Sequence, residues 1–146
     1  MLLTRSWRGC APSSSVCAVP SLNAIGIVSK DLAASAAFYG LLGVTFPALE
    51  GDHVEAVLPS GLRLMLDDLE LIKKLDPEWA APRGHRMSLA FECASPAEVD
   101  AVHAKVTAAG HVSKTAPWDA FWGQRYAQVV DPDGNVVDLF ATLPAG

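Results

Sequence analysis

The sequence lacks an apolar run of roughly 20 residues, the length that a membrane-spanning helix needs, although 51% of its 146 residues are hydrophobic. It also lacks the motifs of several common enzyme classes: G-x-S-x-G of hydrolases, the Walker phosphate loop, the dinucleotide-binding G-x-G-x-x-G and the zinc-binding H-E-x-x-H. These absences argue against an integral membrane protein, a serine hydrolase and a nucleotide-binding enzyme. The length and apolar content indicate a soluble globular protein, with either one well-buried domain or two small fused modules.

Cysteine is scarce, with three residues in the chain. Cys10 and Cys17 lie near the N-terminus, and Cys93 lies alone on the apolar side of a predicted strand, so the sequence offers no disulfide framework. A reducing, cytoplasmic setting is therefore expected.

Residues 1–19 contain no acidic residue and carry only the charges of Arg5 and Arg8. They are rich in serine and small residues and lack the apolar core of a secretory signal. We expect a disordered N-terminal extension here, with a targeting segment as the alternative. Without those two arginines, nine of the 11 basic residues remain against 16 acidic residues. This acidic balance argues against nucleic acid as a partner.

Hydrophobic periodicity predicts an α+β domain over residues 20–143, in which a strand, a helix and three further strands occur twice. The first helix is capped by Ser29 or Asp31 and ends at Gly43, and the second begins at a capping box, Ser95-Pro96-Ala97-Glu98, and ends at Gly110. The predicted strands are Leu22–Val28, Val44–Ala48, His53–Leu58 and Leu62–Asp67, then Ser88–Glu92, His111–Thr115, Arg125–Val130 and Asn135–Ala141.

The spacing of the two passes indicates an internal repeat. Residues 24 and 31 correspond to 88 and 95 at an offset of 64, whereas 61 and 65 correspond to 134 and 138 at an offset of 73. A longer loop around Trp118 accounts for the difference. We therefore divide the domain into a first module at about 21–67, a linker at about 68–85 and a second module at about 86–143, with a short helix over Leu69–Leu75 in the linker.

The turn near the C-terminus is the clearest local signal. Asp131-Pro132-Asp133-Gly134-Asn135 supplies a fixed φ at the proline and a positive-φ position at the glycine, as a short connection between two strands requires. In the strand that follows, Asp138 lies on the face opposite Val137 and Leu139. One carboxylate is therefore placed on the non-core face.

These features resemble the vicinal oxygen chelate (VOC) superfamily, which includes glyoxalase I, bleomycin resistance proteins, fosfomycin resistance proteins and extradiol dioxygenases. The resemblance is carried by Leu22–Leu32 leading to Phe38-Tyr39 and Leu42-Gly43, by Trp122-Gly-Gln-Arg-Tyr126, and by the 131–135 turn before Asp138. It implies two βαβββ modules whose curled mixed sheets form a cup around a ligand or metal, with the helices outside. It also implies a homodimer, sometimes with exchanged modules, because the family frequently pairs its subunits.

In metal-dependent members of that superfamily, ligands come from equivalent strand positions, which match Ala24, Met65, Ser88 and Asp138 here. Methyl, thioether and hydroxyl groups cannot neutralise a divalent ion, and one carboxylate leaves most of its coordination to water. We therefore expect no metal and no cofactor.

The four histidines, at positions 53, 85, 103 and 111, are interpreted as surface or loop residues, because none occupies an inward position at metal-ligand spacing. His85 is the weakest exclusion, since a register error of three residues would bring it to the position of Ser88.

An aromatic group lies close in sequence to the turn. Trp118, Phe121, Trp122 and Tyr126 fall within nine residues and could form a pocket wall, or could instead close the core or a subunit contact. Asp138 could bind a ligand amine or hydroxyl, or could pair with Arg63 or Arg125. The predicted ligand-binding residues are Met65, Ser88, Trp118, Trp122, Tyr126 and Asp138. No catalytic residue is predicted.

The function predicted from these residues and this resemblance is metal-free binding of a small organic molecule, such as a drug or metabolite, similar to bleomycin resistance proteins. The alternatives are a metal-dependent lyase or dioxygenase with misassigned ligands, a metal-free isomerase using Asp138, and a structural dimer whose aromatic loop is an interface.

Overall fold

The computed structural model describes residues 19–146 of the chain. The predicted N-terminal extension, with Cys10 and Cys17, lies outside the described residues apart from Val19. Ten elements follow in the order β1 (Ala24–Ser29), α1 (Leu32–Leu41), β2 (His53–Val57), β3 (Arg63–Asp68), α2 (Leu69–Leu75), β4 (Leu89–Glu92), α3 (Pro96–Ala108), β5 (Val112–Ala120), β6 (Gln124–Val130) and β7 (Val136–Thr142).

The strands form two mixed sheets that share no strand pairing. The first has three strands in the order β1-β3-β2, and the second has four in the order β4-β7-β6-β5. In each sheet the first strand pairs in parallel with the last strand of its module, and the other pairings are antiparallel. The α+β class is confirmed. The second module has the predicted strand, helix and three further strands, whereas the first has two strands after its helix.

The helices begin and end at the residues that the capping signals predict. Asp31 accepts a hydrogen bond from the Ala34 backbone N–H at 3.0 Å, and Gly43 has a φ of +90°. Ser95 accepts a hydrogen bond from the Glu98 N–H at 3.2 Å, and the Glu98 carboxylate in turn accepts one from the Ala94 N–H. The short helix of the linker also forms, over Leu69–Leu75.

Two predicted strands differ from the structure. No strand forms over Val44–Ala48, because the Val44 N–H bonds to the Tyr39 carbonyl at the helix end and Pro47 offers no donor to a sheet. The segment still packs on the core, with Val44 buried. By contrast, β5 is longer than predicted, because two register irregularities let it continue through Trp118 along the edge of the sheet. Trp118 therefore lies on a strand and not on a loop.

One hydrophobic core spans both modules. Its fully buried side chains include Phe38 and Tyr39 of α1, Leu66 of β3, Val99 of α3 and Leu139 of β7. The alternation predicted for these strands is therefore correct, since each sheet turns one face toward this core. We call the opposite face of each sheet its open face.

Buried polar contacts connect α1 to the 131–135 turn of the second module. The Tyr39 hydroxyl donates to Asp131 Oδ2 at 2.7 Å, and Asp133 accepts hydrogen bonds from the Lys30 N–H and the Ser35 hydroxyl. Asp131 also accepts from the backbone N–H groups of its own turn. The turn therefore fixes the entry of β7 and the position of α1 together. Within residues 19–146, no helix combines the length and apolar character needed to cross a membrane.

Candidate ligand-binding site

Asp138 lies in the middle of the open face of the four-stranded sheet. Its neighbours across the two adjacent strands are Ala90 of β4 and Gln128 of β6. Asp138 Oδ1 accepts a hydrogen bond from Gln128 Nε2 at 2.8 Å, and Asp138 Oδ2 accepts one from the Ser88 hydroxyl at 3.2 Å. The carboxylate is therefore held by two neutral donors.

The predicted alternative partners of Asp138 are wrong. Arg63 donates to Glu55 at 2.7 Å and to Asn23 at 2.9 Å on the other sheet. Arg125 points to the opposite side of its strand and forms ion pairs with Asp100 and Asp119. No cation of residues 19–146 forms an ion pair with Asp138, so its charge remains available to a bound molecule.

The aromatic cluster, which comprises Trp118, Phe121, Trp122 and Tyr126, lies on β5, β6 and the turn between them. Trp122 is its centre, with edge-to-face contacts at ring-centroid distances of 5.4 Å to Trp118, 5.0 Å to Phe121 and 5.3 Å to Tyr126. Its indole N–H donates to Gln124 at 2.8 Å, which fixes the ring. Trp118 is 39% and Trp122 is 47% exposed. Aromatic rings ordered in this way and left open to solvent can contact a ligand.

Tyr126 joins the aromatic cluster to the carboxylate. It is the cross-strand neighbour of Trp118, and its hydroxyl accepts a hydrogen bond from Gln128 Nε2 at 3.2 Å. Partial burial, followed by the interaction with Asp138, raises the pKa of the Tyr126 phenol to about 12. The phenol thus stays neutral at physiological pH. Aromatic rings, an amide, a hydroxyl and a carboxylate therefore form one continuous surface.

The structure brings together five of the six predicted ligand-binding residues: Ser88, Trp118, Trp122, Tyr126 and Asp138. Met65 lies on the open face of the other sheet, between Gly26 and Glu55 on the flanking strands. Its thioether lies close to Gly26, where an added Cβ would be 3.5 Å from Met65 Cε. Gln128 is the residue of this surface that sequence analysis missed. Its position opposite Asp138 follows from the register of β6 and β7, which the 131–135 turn sets.

A second polar group was also missed, on the open face of the three-stranded sheet. His53 Nδ1 lies 2.6 Å from Asp67 Oδ1, and His53 Nε2 lies 3.2 Å from Glu55 Oε2. The hydrogen bonds to Asp67 and then to Glu55 raise the pKa of His53, while Arg63 and then His53 lower the pKa of Glu55. His53 is exposed, as predicted for a surface histidine, but its contacts with the two carboxylates were not predicted. Alternation along β2 and β3 places the side chains of His53, Glu55, Arg63 and Asp67 on the same face of the sheet.

The donor atoms present do not fit a divalent metal. Ala24, Met65, Ser88 and Asp138 offer one carboxylate among them, and that carboxylate is already engaged by Ser88 and Gln128. The two ring nitrogens of His53 point to different carboxylates. In the described part of the chain, no three His, Cys, Asp or Glu side chains are placed to hold one ion.

The sequence and the fold are similar to those of known proteins. The family model described as Glyoxalase/Bleomycin resistance protein/Dioxygenase superfamily matches residues 21–139. The chain belongs to this superfamily. The fold and the resemblance inferred from sequence are thereby confirmed. A comparison with curated proteins found no match.

Several solved structures of this superfamily are similar to the chain. A glyoxalase/bleomycin resistance protein/dioxygenase from Nocardioides is 28% identical, with a TM-score of 0.69 over 90% of this chain and 89% of that chain. A family enzyme from Burkholderia phytofirmans PsJN is 20% identical, with a TM-score of 0.75 over 85% and 100%. A lactoylglutathione lyase from Agrobacterium tumefaciens is 22% identical, with a TM-score of 0.60 over 83% and 92%. The last two likenesses show the fold alone.

Proposed function

We propose that this superfamily member is a metal-free binding protein for a small organic molecule that carries a positive charge or hydrogen-bond donor beside an aromatic or apolar group. The observation that supports the proposal most directly is the position of Asp138. Among residues 19–146 its carboxylate has only neutral hydrogen-bond partners, and it lies beside an exposed aromatic cluster. A cation placed there would meet one negative charge and several aromatic faces.

The surrounding residues support recognition more than chemistry. Ser88 and Gln128 orient the carboxylate, while Gln124 orients the Trp122 ring. These supporting hydrogen bonds hold the binding groups in place before a ligand binds, and so reduce the entropy cost of association. The proposal also includes a homodimer in a reducing, cytoplasmic setting.

The test compares two probes of equal shape, benzyltrimethylammonium and its uncharged carbon isostere neopentylbenzene, by thermal shift and by titration. We expect the cation to bind the wild-type protein more tightly, and Asp138→Asn to weaken it about tenfold without affecting the neutral probe. Asp52→Asn, on an exposed turn of the first module, is the matched control for removal of one carboxylate. Equal responses to both probes in wild type and Asp138→Asn would contradict a role for Asp138 in binding.

Metal analysis tests the other half of the proposal. The purified protein is expected to contain no stoichiometric divalent metal, and a chelator should leave the probe-dependent thermal shift unchanged. One equivalent of bound metal, or a shift that disappears with chelator, would overturn the metal-free assignment and favour a lyase or dioxygenase.

A further inference from the structure

A cavity between the two modules opens to solvent and adjoins the open face of the four-stranded sheet at Ser88. It has a volume of about 430 Å³ and lies between β1 of the first sheet and the start of β4 of the second. Trp79 and Pro82 of the linker and Met87, at the start of the second module, line it. Its size is within the range of small-molecule sites, which are commonly about 300–1,000 Å³.

Within residues 19–146, both strands that border this cavity are sheet edges that pair on one side only. β1 is the outer strand of the order β1-β3-β2, and β4 is the outer strand of the order β4-β7-β6-β5. The outer side of each strand therefore presents peptide groups without a strand partner.

The register identifies which peptide groups are free. The Arg63 N–H bonds to the Asn23 carbonyl, so Asn23, Ile25 and Ile27 direct their peptide groups toward β3. Gly26 and Val28, which alternate with them, direct theirs away from β3, and both line the cavity.

The same reasoning applies to β4. The Cys93 N–H bonds to the Phe140 carbonyl, so Leu89, Phe91 and Cys93 direct their peptide groups toward β7. Ser88 alternates with them and lines the cavity. Its hydroxyl serves Asp138, whereas its peptide group faces the gap between the sheets.

The remaining walls define the polarity of a ligand. They are mainly apolar, with Ile25, Leu69 and Met87 among them, and Trp79 offers a flat ring. The charged side chains at the cavity are Lys30 and Asp133, whose formal charges cancel, and Asp133 already accepts two hydrogen bonds. An ion of either sign therefore has no net opposite charge here.

We propose that this cavity is a second binding site, for a neutral, flat, mainly apolar molecule with an amide group, which would bond to the free peptide groups of β1 and β4. This amide pocket does not depend on the cation-binding function proposed for the open face. The amide would donate to one strand edge and accept from the other, as an added strand does.

The test uses acetanilide as the probe and n-butylbenzene as a control that lacks both the donor and the acceptor. Backbone amide chemical shifts, assigned by NMR, identify where each probe binds. We expect acetanilide to shift the amides of Gly26, Val28 and Ser88 and to leave those of Trp118 and Gln128 unchanged. Shifts confined to the aromatic cluster, or no saturable shifts, would overturn the proposal.

Ala81→Trp provides the blocking variant because Ala81 lines the cavity on the exposed linker. Ala80→Trp places the same side chain one residue away, outside the lining, and is the matched control. Acetanilide binding should disappear in Ala81→Trp and persist in Ala80→Trp. Equal binding by both variants would contradict the site.

A second pair of variants, Met87→Glu and Leu75→Glu, tests the site if Ala81→Trp does not fold. Met87 is 78% exposed but lines the cavity, so Met87→Glu should fold and place a charge on its apolar wall. We expect about tenfold weaker acetanilide binding, against no change in Leu75→Glu at a similarly exposed position outside the lining. Unchanged binding in Met87→Glu would overturn the proposal, whatever the outcome of the cation test at Asp138.

Discussion

The two open faces differ in how their individual charges are neutralised. On the three-stranded sheet, Arg63 and His53 share Glu55, and His53 also contacts Asp67. On the four-stranded sheet, the partners of Asp138 within the described residues are the hydroxyl of Ser88 and the amide of Gln128. The first face is therefore internally paired, whereas the second has one charge that a ligand can neutralise. Sequence alternation could assign each residue to a face, but the partner of each charge depends on strand register.

His53 should make stability depend on pH. Asp67 and Glu55 raise the pKa of His53 above 6.5 in the folded protein. The folded state therefore binds this proton more tightly than the unfolded chain does. The resulting stabilisation is fully present below about pH 6.5 and is lost as pH rises through the raised pKa. It should be small, because the imidazole is 42% exposed and water screens the pair.

Urea unfolding across this pH window checks the effect. His53→Gln should remove the decline in unfolding free energy that begins near pH 6.5 in the wild-type protein. His85→Gln, on the exposed linker, is the control and should retain it. A His53→Gln profile that parallels wild type would contradict the assignment.

At the scale of elements, local signals could be predicted and pairing partners could not. Asp31, Ser95 and Gly110 act within their own helices, so a short stretch of sequence contains the full cause. The segment 44–48 shows the opposite case. Its apolar residues are consistent with a strand. In the structure, however, the Val44 N–H bonds back to α1, and the three-stranded sheet forms without this segment. For this segment the sequence could predict burial but not secondary structure.

The contact between α1 and the 131–135 turn gives a prediction at this scale. Tyr39→Phe removes a buried hydroxyl that donates to the Asp131 carboxylate, so the unfolding free energy should fall by about 1.5–3 kcal/mol. Asp131 retains its three other donors, which limits the loss. Urea denaturation provides the measurement.

Tyr126→Phe is the matched control, because it removes the same atom from a partly exposed phenol that accepts a hydrogen bond from Gln128. Its cost should be about 1 kcal/mol or less. Equal losses in the two variants would show that the contact between the modules does not contribute specially to stability.

At the scale of the whole molecule, the repeat predicted the strand and helix with which each module begins, but the cavity could not be predicted. The offsets relate β1 to β4 and β3 to β7 within the modules, but they contain no information about the gap between the two sheets. That gap depends on how α1 packs against the second module and on where Trp79 and Pro82 of the linker lie. Such contacts between distant segments have no local sequence signal.

Trp122 offers a test of whether the aromatic cluster is a ligand wall or a subunit interface. We propose a homodimer, with a mass twice the 15.4 kDa of the chain, and a ligand role for Trp122. Trp122 is the central ring, so Trp122→Ala removes contacts to Trp118, Phe121 and Tyr126 at once. We expect this variant to remain dimeric by light scattering and to lose binding of benzyltrimethylammonium.

Phe121→Ala is the matched control for that experiment. Phe121 is 93% exposed and, among residues 19–146, its ring contacts Trp122 alone, so its removal leaves the other three rings in place. Benzyltrimethylammonium binding should persist in this variant, because the wall beside Asp138 is intact. If Trp122→Ala or Phe121→Ala instead yields monomers, the exposed rings bury each other across a subunit contact. The cluster would then hold the dimer together, and the cation site would have to be formed by Asp138 and its polar neighbours without these rings.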